Sequence, residues 1–260
     1  MRELVRLLEE PRVCSYLPNE VASLEYRIVQ GLEPERYEYL LERGYRRFGR
    51  QLFRPQCPGC RQCVSVRVLV DEFEPSRGFR RVLRRNERIR VVRARPSVTN
   101  EHVELYNRYH QMMHRLRGWR RDRILRGDYI ESFVVGGGDF AWQWMYYDGD
   151  ELVGVALMDE TPNSISLVYF FHDPEWRGYS PGTFSVLTQL DYAKQVGKKH
   201  AYPGYWIPAN QSMAYKSRLR PFERLVRHPV DDEKPRWVRY HTGDPIESET
   251  APVAGAVRLL

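Results

Sequence analysis

The sequence predicts a mixed α/β (α+β) fold, a sheet flanked by helices, with an N-terminal cysteine-containing domain. Three observations predict it. First, Ser164 to Glu223 holds a strand, a tight loop, a helix, a second strand and a basic return in one run. Second, Phe140-Ala-Trp-Gln-Trp-Met-Tyr-Tyr147 and Glu151-Leu-Val-Gly-Val-Ala-Leu-Met158 flank Asp148-Gly149-Asp150, which reads as an antiparallel hairpin. Third, helical patterns recur upstream, from Glu33, Ser76 and Thr99.

In chain order, Met1 to Glu10 mixes charge with Leu4, Val5, Leu7 and Leu8 and reads as a short amphipathic helix. Cys14-Ser-Tyr-Leu-Pro18 is extended. Glu33 to Arg43 sets Tyr37, Leu40 and Leu41 on one helical face with Gly44 beyond as a stop, and strand-like residues resume at Tyr45. Ser76 can cap a helix whose seam is Phe79, Val82 and Leu83, before a strand through Ile89 and Val91. Pro96 and Ser97 close that segment and mark a domain junction. Thr99 or Asn100 caps the next helix, with Val103, Tyr106, His110 and Met113 on one side; Trp119 to Asp128 is an arginine-rich loop.

Ile165, Leu167 and Tyr169 then alternate with Ser166, Val168 and Phe170 in a largely buried strand, stopped by Asp173-Pro174. Pro181 suits a first helical turn, where its missing N–H costs nothing. Phe184, Leu187 and Leu190 recur at helical spacing, and Lys194, Gly197 and Lys198 end the helix. The start of that helix is a cluster of free amides at a strand end, suited to a carbonyl, ribose or phosphate oxygen. After Asp231 the chain turns polar and proline-dotted and is expected to be a flexible tail. The resulting division is 1–96, an N-terminal domain; 97–230, a catalytic domain; and 231–260, the tail.

With 260 residues the chain can bury substantial cores, and a net charge of +7 favours a polyanionic partner. Met1 to Glu10 is no secretory leader, and no apolar run approaches the roughly 20 residues of a membrane span, so a soluble, cytoplasmic protein is expected. Four cysteines are too few for a disulfide scaffold. Three form Cys57-Pro-Gly-Cys60-Arg-Gln-Cys63, and Cys14 is the remaining thiol. Zinc or iron–sulfur ligation by Cys14, Cys57, Cys60 and Cys63 competes with a redox pair and with free thiols. His110-Gln-Met-Met-His114 lacks the glutamate of a zinc-protease helix.

Arg77 to Arg95 contains nine arginines and one acid, Glu87. Such one-signed charge repels itself unless anions neutralise it, which points to an RNA backbone at Arg77, Arg80, Arg81, Arg84, Arg85 and Arg88.

The order of hairpin, third strand, loop, helix and strand resembles the acetyltransferase-like fold called GNAT. Taken together, Cys14-Ser-Tyr-Leu-Pro18, Gly44-Tyr-Arg-Arg47, Phe53-Arg-Pro-x-Cys57-x-Gly-Cys60-x-x-Cys63, Arg67-Val68, Arg80-Arg-Val-Leu-Arg-Arg-Asn86, Tyr169-Phe-Phe-x-Asp-Pro174 and Gly204-Tyr-Trp-Ile-Pro208 resemble one family. It is the bacterial aspartate/glutamate leucyltransferase branch of the arginyl-tRNA–protein transferases, and the resemblance covers about residues 12 to 223. It implies transfer of an amino acid from aminoacyl-tRNA to the α-amine of a protein beginning with Asp or Glu, in N-degron proteolysis. Arginyl relatives carry a different cysteine pattern, linked there with metal or iron–sulfur binding.

Such a donor is already an activated ester, so no cofactor is required for transfer. The enzyme must hold an amine against a carbonyl, help remove a proton and stabilise an oxyanion. Amides of Tyr179, Ser180, Gly182 and Thr183 are the candidates for oxyanion or ribose binding. Tyr169, Asp173 and Tyr205 are candidates for proton handling, and Lys216 for the tRNA 3′ end or the transition-state oxygen. Arg54 and Arg67 are the candidates for the acceptor's acidic side chain, because a buried carboxylate needs a cationic partner. An arginyl donor, an acetyl-CoA-dependent acetyltransferase and a non-catalytic RNA-binding module are the competing readings.

Overall fold

The strand Glu151–Glu160 is the spine of the molecule, and its side chains explain why helices cover the sheet on both sides. Leu152, Val155 and Leu157 enter one apolar cluster, while Val153, Ala156 and Met158 enter another on the opposite face. Beyond a register shift between Leu152 and Gly154, the side chains alternate with the period of two that a strand buried on both faces must show. The computed structural model describes residues 1–120, 123–241 and 243–244.

The strands are β1 (Arg2–Leu8), β2 (Arg12–Val13), β3 (Val21–Ala22), β4 (Leu24–Gln30), β5 (Arg46–Phe48), β6 (Gln51–Pro55), β7 (Val64–Leu69), β8 (Ile89–Ala94), β9 (Ala141–Asp148), β10 (Glu151–Glu160), β11 (Ser164–His172), β12 (His200–Tyr202), β13 (Tyr205–Trp206), β14 (Phe222–Leu225) and β15 (Trp237–Arg239). The helices are α1 (Pro34–Leu41), α2 (Arg77–Arg85), α3 (Asn100–Arg117), α4 (Arg126–Tyr129) and α5 (Pro181–Gln195). The main sheet runs β15-β14-β7-β12-β11-β10-β9-β8, with β13 paired to β7, and a smaller sheet runs β1-β4-β6-β5. The result is a mixed α/β fold, a sheet flanked by helices.

On one face lie α5 and α2, through Phe184, Leu187, Leu190 and Phe79. The other carries α3 and α4, through Leu105, Tyr129 and the π-turn residue Phe133. Caps read from the sequence are formed: Ser76 accepts from the amide of Phe79, and Thr99 makes a reciprocal box with His102. Gly154 lets the sheet approach Trp176, whose ring carbon would lie 2.7 Å from an added Cβ.

Four expectations change. Met1 to Glu10 is β1, paired antiparallel to β4, because that edge offers its backbone a ladder that a lone helical turn lacks. The junction near Pro96 does not divide the main sheet, since β7 lies between β14 and β12 and β8 forms the far edge. The loop expected from Trp119 to Asp128 gives way to α4 already at Arg126, and α4 continues as a π-helical turn, Ile130–Val134. Finally, the start of the expected tail is held: β15 pairs with β14, and the Asp231 carboxylate accepts a hydrogen bond from Arg27. Residues 245–260 lie outside the described residues.

Asp231 belongs to a buried ionic cluster in the small sheet. Its centre is Glu25, 7% exposed, whose carboxylate accepts from Tyr45 Oη at 2.7 Å and Arg54 Nε at 2.7 Å, and from Arg6. Burial alone would raise this carboxyl; Arg54, the Tyr45 hydroxyl and Arg6 outweigh it and hold it down at about 2. A carboxyl whose folded pKa lies below its ordinary value stabilises the fold above that value and ceases to as pH falls through the depressed one. Glu25→Gln is therefore expected to destabilise the protein by on the order of 3 kcal/mol at pH 7 and to flatten the loss of stability between about pH 4.5 and 2. Urea titrations of both proteins across that range check this.

Candidate active site: a fork in the sheet

Parallel strands β11 and β12 pair only from Ser164 to Ser166, against His200 to Tyr202. Beyond that point β11 runs on to His172, while the other strand ends and β13 turns away to pair with β7. The sheet opens there as a fork. Two local features help. Val168 is an extra residue at a bulge, since Leu157 faces Tyr169 and Met158 faces Leu167. Gly204 has φ of +92°, a backbone turn that side-chain-bearing residues rarely adopt.

Two cations fill the base of the fork. Arg46, from β5 of the small sheet, donates through Nη1 to the Tyr202 carbonyl at 3.0 Å and through Nη2 to the Leu167 carbonyl at 2.5 Å. It thereby satisfies carbonyls on both parted strands. Lys216, on the 3₁₀ turn Ala214–Arg218, is 6% exposed and donates to the Tyr205 carbonyl at 2.7 Å. A Cβ on Gly204 would lie 3.3 Å from Lys216 Nζ and 3.9 Å from Arg46. Burial, and next the positive charge of Arg46, lower the Lys216 pKa to about 7, against a smaller opposing effect of Cys63. The neutral amine is thus far more accessible near neutrality than for an exposed lysine.

Above this base, Tyr169 Oη lies 2.8 Å from His110 Nε2, in an aromatic nest with Tyr106, Phe133 and Phe48. Burial drives the Tyr169 hydroxyl well above its ordinary pKa, so it is a neutral donor or acceptor. Tyr16, in the loop after β2, lies within electrostatic reach of both Tyr169 and Tyr205.

Of the residues singled out from sequence, Lys216 and Tyr169 line the fork. Tyr205 lines it through its carbonyl; its hydroxyl donates to the Gly44 carbonyl at 2.9 Å and the Phe53 carbonyl at 3.2 Å, a structural tie that removes it from proton handling. Asp173 likewise caps a turn, accepting from the amide of Glu175 at 2.9 Å and from Arg108 at 2.8 Å. Arg54 and Arg67 are engaged elsewhere. The first is 2% exposed and pairs with Glu25; the second pairs with Glu223 at 2.7 Å and stacks on Trp237. Neither is placed to receive an acceptor's carboxylate, because each already holds one.

At the entrance to α5, Ser180 is left-handed with φ of 60° and makes no side-chain cap, so the amides of Gly182 and Thr183 open the helix behind Pro181. The end of α2 clamps this loop. Asn86 donates to the Tyr179 carbonyl at 2.9 Å and accepts from Trp176 Nε1 at 2.8 Å, while Arg88 and Arg85 lie over the Tyr179 ring at 4.5 and 5.4 Å. All six arginines of the expected RNA contact are exposed, and their helix begins and ends alongside α5.

Cys14, Cys57, Cys60 and Cys63 do meet, around a cavity of about 70 Å³ that His228 also lines. Among the described residues, however, no three donors are grouped so as to hold a metal ion. Cys57 Sγ is turned to the Ser23 carbonyl at 3.7 Å, and burial raises the Cys63 thiol to about 12. The four cysteines share one small cavity, with Cys63 near enough to Lys216 to act on its charge. Sequence reading missed Arg46, although the buried Tyr45 followed by two arginines at a strand start was a signal of paired internal cations.

The profile described as arginine-tRNA-protein transferase, N terminus, matches residues 12–81, and that described as arginine-tRNA-protein transferase, C terminus, matches 101–226. An aspartate/glutamate leucyltransferase of Helicobacter hepaticus is 40% identical over 238 residues, covering 92% of this chain and 99% of that protein. One from Pseudomonas aeruginosa is 35% identical over 245 residues, covering 92% and 99%. Among solved structures, FemX is similar with a TM-score of 0.42 at 10% identity, over 71% of this chain and 75% of that one.

Gly204→Ala should strain the turn and press on Lys216 Nζ. The expected cost is on the order of 1–3 kcal/mol, read as a lowered denaturation midpoint, with the Lys216 pKa displaced from about 7 in a pH titration of lysine modification.

Proposed function

The chain belongs to the family of aspartate/glutamate leucyltransferases, and on that premise we propose that it moves leucine from leucyl-tRNA to the α-amine of proteins beginning with Asp or Glu, the marking step of N-degron proteolysis. It is an aminoacyltransferase with an aminoacyl-tRNA as donor. The fork supports a GNAT-like architecture for the catalytic part, 97–230, to which the N-terminal part, 1–96, contributes Arg46, α2 and the sheet strands β7 and β8. No helix among the described residues is long and apolar enough to cross a membrane, and a reaction fed by charged tRNA belongs in the cytoplasm.

The observation that carries the mechanism is the buried Lys216 amine at the base of the fork beside Arg46, its pKa lowered to about 7. An α-ammonium has a pKa of about 8, so transfer of its proton to Lys216 is nearly balanced in free energy. The freed amine attacks the ester carbonyl of the donor, forming the C–N bond. Collapse of the tetrahedral intermediate breaks the C–O bond; Lys216 returns its proton to the departing ribose oxygen, and the second proton of the attacking nitrogen passes to solvent. Arg46 and the open amides of Gly182 and Thr183 are suited to the developing oxyanion, and the Tyr169–His110 pair to holding the aminoacyl ester in line. The exposed arginines of α2 draw the tRNA backbone toward the α5 entrance.

Purified protein given labelled leucyl-tRNA or arginyl-tRNA and peptides beginning Asp, Glu, Lys or Ala tests the reading. Leucine on the Asp and Glu peptides alone is expected; label from arginyl-tRNA, or on the Lys peptide, overturns the donor or acceptor assignment. Lys216→Ala should lower leucyl transfer by at least about 100-fold with the fold intact, and the wild-type kcat should rise through about pH 7 as Lys216 loses its proton. Replacing Arg80 and Arg84 by Ala should weaken tRNA binding and reduce its salt slope by about one per residue, with kcat unchanged.

A further inference from the structure

With Arg54 and Arg67 each holding a carboxylate already, the acidic side chain of the acceptor needs another cation. The cavity of about 70 Å³ beside the cysteines offers one. Arg61, Arg224, Arg227 and His228 line it, and no aspartate or glutamate does. Arg227 is matched by Glu233, to which its Nη1 donates at 2.8 Å. Arg61 is half-buried and forms no ion pair among the described residues. Its Nη1 donates to the carbonyls of Cys57 and, at 2.9 Å, Cys60, which holds the guanidinium against the loop and leaves Nε and Nη2 without a partner among the described residues.

A guanidinium drawn into a partly closed space gives up water, and a carboxylate brought in from outside offsets that loss. Nε and Nη2 of one arginine form the planar pair of donors that takes both carboxylate oxygens. Size agrees with charge. One water needs about 10–15 Å³ of such space, so there is room for about five heavy atoms, the number in a glutamate side chain, and an aspartate also fits.

The cavity and the base of the fork lie one strand apart. Ser65 of β7 lines the cavity and pairs with Tyr205 of β13, whose carbonyl takes the Lys216 amine at 2.7 Å. Neighbouring strands are about 4.8 Å apart, and about 4 to 5 Å separates the α-nitrogen from the carboxylate carbon of an extended aspartate or glutamate. A first residue whose nitrogen meets Lys216 therefore has a side chain of the right reach. Tyr16 bridges the two places: its ring is 40% exposed, and its hydroxyl lies within electrostatic reach of Cys14 and Cys63 in the cavity and of Tyr169 and Tyr205 at the fork.

Resting on the leucyl-transfer reading above, we propose that this cavity receives the side-chain carboxylate of the acceptor's first residue, Asp or Glu, and that Arg61 is the residue that selects it. The two oxygens accept from Arg61 while the α-nitrogen faces Lys216, and the donor ester enters from the α5 side. Arg224, 6% exposed, brings a second guanidinium to the wall. Arg61 acts in acceptor binding and takes no part in the proton transfers.

The test uses the full chain with leucyl-tRNA and peptides that differ only in beginning with Asp, Glu or Asn; the same peptides, fluorescently labelled, are titrated by polarisation without tRNA. Arg61→Ala, and Val21→Trp, which fills the cavity from a wall residue 49% exposed, should each raise KM for the Asp and Glu peptides about 100-fold, with kcat and the KM for leucyl-tRNA unchanged. The preference for Asp over Asn should fall with it in both assays, whereas a merely structural loss would weaken both peptides alike. Arg61→Lys should keep part of the preference. An Asp preference unchanged in folded Arg61→Ala overturns the proposal, and so does a raised KM for leucyl-tRNA alone, which would give the cavity to a donor phosphate. Should Arg61→Ala fail to fold, Arg61→Lys and Val21→Trp decide. If the wild type transfers no leucine but binds the Asp peptide over the Asn peptide through Arg61, the cavity assignment stands and the enzymatic reading falls. If transfer is normal and the variants change nothing, only the cavity assignment falls.

Discussion

Two neighbouring guanidinium groups on β5 join the halves of this protein. Arg47 donates to the Asp159 carboxylate through Nε at 2.9 Å and Nη2 at 2.5 Å, fixing the small sheet to the spine strand β10, while Arg46 reaches the carbonyls of β11 and β12 where they part. Burying a charge without a partner costs several kcal/mol, so each arginine can sit inside only if the opposite sheet is in register to meet it. The small sheet therefore serves as the wedge that keeps the main sheet open.

That wedge also sets the chemistry. An ammonium at Lys216 must share a dry space with the permanently charged Arg46, and burial and repulsion together favour the form without the proton. The same dryness acts on Cys63 in the opposite sense, since burial there disfavours the thiolate. The lowered pKa of the Lys216 amine and the raised pKa of the Cys63 thiol are thus two consequences of one low-dielectric region.

Position of the arginine-rich helix follows from a smaller device. Asn86, at the end of α2 and 1% exposed, binds Val82, Tyr179 and Trp176 at once. Removing it would leave several buried polar groups unpaired, so the helix is held where it is by hydrogen bonds, and its cations are carried along with it. A surface that would otherwise repel itself is in this way displayed beside the entrance to α5.

Much of the local structure was legible in the sequence. The hairpin at Asp148-Gly149, the caps Ser76 and Thr99, Pro181 in the first turn of α5 and the alternation of Ile165 to Phe170 each depend on a few adjacent residues, whose backbone preferences travel with them. Of the residues at the fork, Lys216 and Tyr169 were singled out in the sequence, and Arg46 was seen only as half of an Arg-Arg pair. What the tertiary structure alone decided was partnership. Whether Arg54 meets Glu25 or a ligand, whether Met1 to Glu10 extends along β4 or coils, and whether the Tyr205 hydroxyl faces a substrate or the Gly44 carbonyl all hinge on register between segments far apart in the chain. Charged and polar side chains satisfy whichever complementary group packing brings within about 3 Å, and no short stretch of sequence carries that information.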